Sequence, residues 1–227
     1  VKLTIYLAGD STVSNYPPEK EPMMGWGQRL GQYFDDSVVI RNEAMGGRSS
    51  KSFIDEGRLA AIEQAIVPGD YLLIQFGHND EKADEARHTD VFGTYEQYLR
   101  QYIGVARAKG ATPVLITSTE RRYFDESGKL KDTHGAYPAA MARLAAEERV
   151  PVIDLQAKSR KLLEAMGDES SKRLFVWLAQ GEHPNYPKGS CDNTHFNEQG
   201  AAEMAKLVAE GIRETGLPLA ERLIGVS

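Results

Sequence analysis

Ser11 closes the tripeptide Gly9-Asp10-Ser11 directly after the first apolar run of the chain, and Asp192-Asn-Thr-His195 precedes the last helical pattern. A serine hydroxyl is a weak nucleophile until a base within hydrogen-bond reach takes its proton. An imidazole does this when a carboxylate on its other nitrogen fixes the tautomer. Asp192 lies three residues before His195 and can fold back within one turn to play that part. Plainer readings stand beside this one: Ser11 capping a turn, Asp192 capping the helix, His195 satisfied by backbone. Metal ligation by His78, Asp80, His183, Asp192 and His195 is a third reading, against which the lack of HxH or HExxH spacing speaks.

Acyl transfer also needs donors aimed at the oxygen that becomes negative, each typically worth ~2.7–4 kcal/mol of transition-state stabilisation. Asn79 in Gly77-His78-Asn79-Asp80 offers a side-chain amide, Gly47 in Gly46-Gly47-Arg48-Ser49 a backbone N–H, and Ser11 its own N–H. Taken singly, Asn79 reads equally well as a turn residue and the glycine pair as a bend.

These residues must be carried by elements that converge. Five nearly continuous apolar runs read as strands buried on both faces: Leu3–Leu7, Val38–Ile40, Tyr71–Phe76, Val114–Thr117 and Val152–Leu155. Tyr95, Leu99, Tyr102, Ile103 and Ala106 share one helical face, with Gly110 as a stop. Tyr137, Ala140, Met141 and Leu144 repeat the spacing, with Pro138 in the first turn. Ala201, Met204, Ala205, Val208 and Ile212 mark a last helix from near Asn197 to Gly216. Alternation of this kind predicts an α/β fold, a parallel sheet with helices on both faces. Ligands of such sheets bind beyond the carboxyl ends of the strands, where the polar motifs fall. Two long stretches, about 119–134 and 167–196, read as irregular loops walling a cleft. Within them Arg121, Arg122, Tyr123, His134, Trp177, His183 and Tyr186 are candidates for contact with sugar rings or uronate carboxylates, as is Arg48 unless it braces its own loop.

Bulk properties bound the rest. With 227 residues, 41% apolar and 26% charged, the chain fits one domain spanning 1–227. No apolar run nears the ~18 residues of a membrane span. A net charge of −6 speaks against a nucleic-acid surface and sits awkwardly with a polyanionic substrate unless basic residues gather at the cleft. The lone Cys191 excludes an internal disulfide, and no secretory pattern opens the chain, so a cytoplasmic location is expected. Secretion stays open because the sequence begins at Val1 rather than Met. Oligomeric state is not legible.

Gly9-Asp10-Ser11, Gly47, Asn79 and Asp192-x-x-His195 occur in the order of the four blocks of the SGNH (GDSL-type) hydrolase superfamily, which the chain resembles from first strand to last helix. More narrowly, Tyr6-Leu-Ala-Gly-Asp-Ser-Thr12, Gly25-Trp-Gly27, Asn42-x-Ala-x-Gly-Gly-Arg-Ser49, Glu56-Gly-Arg58, Gly69-Asp-Tyr71 and Phe76-Gly-His-Asn-Asp80 are similar to rhamnogalacturonan acetylesterases of bacterial type. Thr12 replaces the Leu of the broader signature, which fits that branch. The resemblance implies a three-layer α/β/α sandwich around a five-stranded parallel sheet in flavodoxin-like order. It also implies a Ser11–His195–Asp192 triad with an oxyanion hole of Ser11, Gly47 and Asn79, and needs no metal or organic cofactor.

The expected activity is therefore removal of acetyl groups from an acetylated carbohydrate of pectic type. Competing expectations are a related lipase or thioesterase acting on another acyl ester, an acetylxylan-type esterase, and a non-enzymatic carbohydrate-binding module on the same scaffold.

Overall fold

A computed structural model describes residues 1–226. Its centre is a five-stranded, all-parallel sheet built from β1 (Leu3–Gly9), β2 (Val38–Asn42), β3 (Tyr71–Gln75), β4 (Thr112–Ile116) and β5 (Val152–Ile153), in the order β2-β1-β3-β4-β5. This is the flavodoxin-like order, and it places the reversal of strand order at β1 and β3.

Alternate side chains of each inner strand enter opposite cores, which is why those strands read as unbroken apolar runs. Ile5, Leu7, Leu73, Val114 and Ile116 face α5 (Leu155–Ser171) and α6 (Glu198–Thr215), meeting Leu163, Met204, Ala205, Val208 and Ile212. Tyr6, Ala8, Leu72, Ile74 and Leu115 face α1 (Ser50–Asp55), α2 (Arg58–Ala65), α3 (Thr94–Ala108) and α4 (Tyr137–Glu148), meeting Phe53, Ile62, Leu99, Tyr102 and Leu144. Each Leu, Ile, Val, Met or Phe among them, withdrawn from water, contributes about 1.5–3 kcal/mol. The result is the three-layer α/β/α arrangement.

Helix ends follow local chemistry. Asn197 caps α6 by accepting from Gly200 N–H at 2.9 Å, and Gly216 ends it in the left-handed conformation at φ 71°. Gly110, φ 71°, follows the end of α3. The fifth predicted strand is shorter than expected because Asp154 turns the chain into α5, its carboxylate accepting from Ala157 N–H at 3.1 Å.

The stretch 167–196 departs from the expected loop. It holds the end of α5, broken at Gly167 (φ 83°), and an antiparallel pair, β6 (Phe175–Leu178) and β7 (Ser190–Phe196). The β7 sequence is polar and carries no apolar alternation. Its two ends pair with β6, Ser190 and Cys191 with Leu178 and Trp177, and Phe196 with Phe175, a pairing that periodicity does not report. Asp192 and His195 lie in the irregular stretch between those pairs, where Asp192 Oδ1 accepts from the N–H groups of Thr194 and His195.

The Gly25-Trp-Gly27 segment is docked on residues 12–14. Gly25 and Trp26 N–H donate to Ser14 and Thr12 carbonyls at 3.0 and 2.9 Å, and Gly27 N–H donates to Val13 carbonyl at 3.0 Å. A Cβ at Gly25 would lie 2.3 Å from Ser14 O and the Val13 carbonyl carbon. Only glycine permits this approach, so the turn leaving β1 is clamped from below.

Candidate active site

The three strand ends at the reversal of sheet order each deliver one polar loop. Ser11 follows β1, Gly47 follows β2 and Asn79 follows β3, while β7 brings Asp192 and His195 over the same edge. His195 Nε2 lies 2.9 Å from Ser11 Oγ, and His195 Nδ1 lies 2.8 Å from Asp192 Oδ2. Asp192 Oδ1 accepts from the N–H groups of Thr194 and His195 at 2.8 and 2.9 Å. Burial pushes the Asp192 carboxyl up, but His195 and these two N–H groups outweigh it and hold it below the usual carboxylate range. The carboxylate is thereby fixed in place and kept ionised beside the ring.

Ser11, Gly47, Asn79 and His195 line one hollow of about 290 Å³ together with His78, Lys82, Arg121 and Thr194. Neither the Ser11 nor the Gly47 N–H donates to any described group. Gly47 sits at φ 78°, a conformation that strains other residues, although a Cβ there would touch nothing. Its glycine is needed for backbone shape rather than for room. Asn79 donates to Arg48 carbonyl at 3.0 Å and accepts from Arg87 Nη1 at 3.3 Å. One amide N–H of Asn79 is left without a partner among the described residues, and the amide is oriented from both sides.

Beneath Ser11 runs a chain of polar groups that the sequence motifs did not announce as a unit. Trp26 Nε1 donates to Gln75 Oε1 at 2.8 Å, Gln75 Nε2 to Thr12 Oγ1 at 2.8 Å, and Thr12 Oγ1 to Asp10 Oδ1 at 2.7 Å. Thr12 N–H also donates to Asp10 Oδ1, at 2.9 Å, and all four side chains are buried. A hydroxyl at position 12 joins this chain where a Leu could not. Tyr16 Oη donates to Ser11 carbonyl at 2.7 Å and braces the same turn. Asp80 is a second organiser: it accepts from Ser50 N–H at 3.0 Å and Thr89 Oγ1 at 2.8 Å, tying the start of α1 to the Asn79 loop. Ser49 and Ser52 complete a capping box there.

Two buried groups in this region titrate abnormally. Burial drives the His78 imidazole down to about 4 in spite of the Asp10 carboxylate 3.6 Å away, a separation too long for a hydrogen bond. Burial drives the Asp80 carboxyl up to about 6 in spite of its hydrogen bonds. Their effects on stability oppose one another. Between 6.5 and about 4 the unfolded chain holds more protons at His78, so that contribution is lost as pH falls. Between 3.8 and about 6 the folded chain holds more at Asp80, so stability is lost as pH rises. The two slopes offset each other over pH 4–6. Replacing His78 with Gln should expose the Asp80 slope, lowering stability toward pH 6 relative to the parent by up to ~1 kcal/mol per pH unit. Urea midpoints at pH 4.5 and 6 measure this, and parallel profiles for the two proteins would refute it.

The remaining candidates are dispersed. Arg121 reaches the hollow, but Glu81 Oε1 at 3.0 Å and Thr133 hold its guanidinium. Arg48 turns away to chelate Glu56 at 2.8–3.1 Å and bond Gly46 carbonyl at 2.7 Å, so it braces its loop. Arg122 is buried, bound to Asp168 and Asn193. His134 is buried, its two ring nitrogens facing Glu81 at 2.6 Å and Thr119 carbonyl at 2.8 Å. Both were expected at a cleft wall, but their hydrogen-bonding groups are consumed by loop packing. Trp177 borders a different hollow with Lys172 and Cys191, and the cations of Lys172 and Arg122 lie 4.4 and 5.1 Å from its ring centre. His183 and Tyr186 lie on the β6–β7 loop, which Tyr186 Oη and Asn185 fasten to the carbonyls of Lys20, Pro18 and Glu21. The residues suggested for a metal do not assemble: among the described residues, no three His, Cys, Asp or Glu side chains are placed to hold an ion.

The chain matches the GDSL-like Lipase/Acylhydrolase family over residues 7–203. It is 57% identical over 222 residues to the rhamnogalacturonan acetylesterase RhgT of Bacillus subtilis (strain 168), covering 98% of this chain and 94% of that protein. It is 31% identical over 237 residues to the rhamnogalacturonan acetylesterase of Emericella nidulans, covering 95% and 87%. Among solved structures, protein YXIM_BACsu of Bacillus subtilis superposes with a TM-score of 0.81 at 32% identity, over 96% of this chain and 58% of its own. Axe2, an acetylxylan esterase from Geobacillus stearothermophilus, superposes with a TM-score of 0.60 over 96% and 95%, and at 16% identity shares the fold alone.

Proposed function

The chain belongs to the GDSL-like Lipase/Acylhydrolase family, and on that premise we propose that it is a serine esterase removing acetyl groups from rhamnogalacturonan. That it is a carboxylic ester hydrolase follows from its family and its relatives. The assignment of roles rests above all on the 2.9 Å approach of His195 Nε2 to Ser11 Oγ, across 184 positions of sequence.

His195 takes the Ser11 proton as Oγ attacks the acetyl carbonyl carbon. Asp192 keeps the Nδ1 proton in place and stabilises the imidazolium as it forms. The carbonyl oxygen becomes negative between the N–H groups of Ser11 and Gly47 and the free N–H of Asn79, donors already oriented before the reaction begins. His195 then passes its proton to the departing sugar oxygen. Water, deprotonated by the same imidazole, attacks the acetyl-enzyme, and Ser11 recovers its proton as acetate leaves. Every step uses side chains and amides of this chain.

The substrate reading rests on the relatives' activity and on the hollow itself. At about 290 Å³ and lined by Ser11, His78, Asn79, Lys82, Arg121 and Thr194, it suits a short acyl group on a polar carrier rather than a long alkyl chain. Acetate release from acetylated rhamnogalacturonan should exceed that from acetylated xylan by at least about tenfold in kcat/KM. Equal rates on both polymers, measured by enzymatic acetate assay, would overturn the pectic assignment while leaving the esterase mechanism intact.

A further inference from the structure

We infer that Lys82 is the specificity-determining cation of this site, seating the carboxylate of a uronosyl unit beside the ester to be cleaved. The inference rests on the pectic reading above and identifies the side chain that carries it.

Two long cationic side chains line the hollow, Lys82 and Arg121, and Arg121 is neutralised by Glu81 at 3.0 Å. Arg48 and Arg87, on the adjoining loops, are paired with Glu56 at 2.8 Å and Asp84 at 2.7 Å. Lys82 is different. It is exposed, it lines the hollow that contains Ser11 and His195, and its ammonium meets no carboxylate among the described residues. Its backbone is fixed, N–H to Asn79 carbonyl at 3.1 Å and carbonyl to His88 Nδ1 at 2.9 Å. The stem therefore rises from the loop that also presents Asn79. No carboxylate lines the hollow.

On a chain of net charge −6, a polyanionic substrate is repelled at long range. One cation lining the nucleophile's own hollow, with no ion-pair partner among the described residues, reverses that locally. A neutral sugar ester gains nothing from it, so the ammonium discriminates between uronate-bearing and neutral acetylated chains. Being exposed, the contact must weaken as salt shortens the screening length to a few ångströms.

Lys82→Ala should raise KM for acetylated rhamnogalacturonan about two- to fivefold, and Lys82→Glu about tenfold, with kcat held. Lys82→Arg should restore the parent KM. The ratio of KM on this polymer to KM on p-nitrophenyl acetate should rise by the same factors, and 0.5 M NaCl should shrink the difference between parent and variants. A second readout does not depend on the natural ester: inhibition of p-nitrophenyl acetate hydrolysis by de-esterified rhamnogalacturonan oligosaccharide. Its Ki should rise at least fivefold in Lys82→Glu. An unchanged Ki, no inhibition of the parent protein, or an equal KM rise on both esters overturns the role of Lys82. Failure of the parent to release acetate from the polymer overturns the pectic reading instead, and the inhibition measurement still decides Lys82.

Discussion

Ser11→Ala should lower kcat by about 10⁴-fold or more, with KM for the acetylated polymer nearly unchanged. The substitution deletes Oγ, the atom 2.9 Å from His195 Nε2, and little else. Ala at position 11 keeps the backbone N–H, and Gly47 and Asn79 are untouched, so the proposed electrostatic cradle for the oxyanion survives. What remains is the residual rate that oriented donors and bound substrate give to water attack, about 10³–10⁴ over the uncatalysed reaction in comparable enzymes. Single-turnover measurements should show no acetyl-enzyme, and a fluorophosphonate should no longer label the protein. Turnover at the parent rate would place the nucleophile elsewhere.

Asp192→Asn should be nearly as damaging, with a loss in kcat of about 10³–10⁴-fold. The carboxylate takes three hydrogen bonds: Oδ2 from the imidazole, Oδ1 from the N–H groups of Thr194 and His195. A carboxamide keeps the size but presents an NH₂ or a single carbonyl. With the oxygen turned to the two backbone N–H groups, the amide nitrogen faces Nδ1 and forces the ring proton onto Nε2. The imidazole then confronts Ser11 Oγ with a donor and can take no proton. Because His195 and the two backbone N–H groups hold Asp192 below the usual carboxylate range, the carboxylate stays ionised as pH falls toward that range, and a fall of the parent's activity in mildly acid solution is not expected to come from Asp192. In the variant the loss should persist at every pH, with binding of de-esterified oligosaccharide intact. A variant within tenfold of the parent would remove the orienting role of Asp192.

The loss expected at position 192 also shows why its strand was hard to read. Ser190–Phe196 has no periodicity because its residues answer to different neighbours: Asp192 to His195, Asn193 to Arg122 and Trp177, Phe196 to Phe175 in the core. The apolar pattern likewise does not mark helices α1, α2 and α5. The first two are short, and α5 mixes Leu155 and Leu163 with exposed charges and a glycine break.

The apolar sequence pattern by itself determined the strand–helix alternation, the doubly covered sheet and the strand ends at which polar motifs emerge. It could do so because burying an unbroken apolar run on both faces of a sheet is favourable wherever that run lies in the chain. Residue chemistry likewise determined that Ser11, His195, Asp192, Gly47 and Asn79 were the groups worth bringing together. Only the tertiary structure decided which polar side chains were already taken. The sequence marks Arg122 and His134 for the cleft and does not mark Lys82, yet ion pairs and carbonyls consume the first two, whereas Lys82 lines the hollow with no ion-pair partner among the described residues. The reason is that hydrophobic burial is additive and local, whereas a charge is satisfied or free according to one partner, and partners 46 or 53 positions away are chosen by the fold.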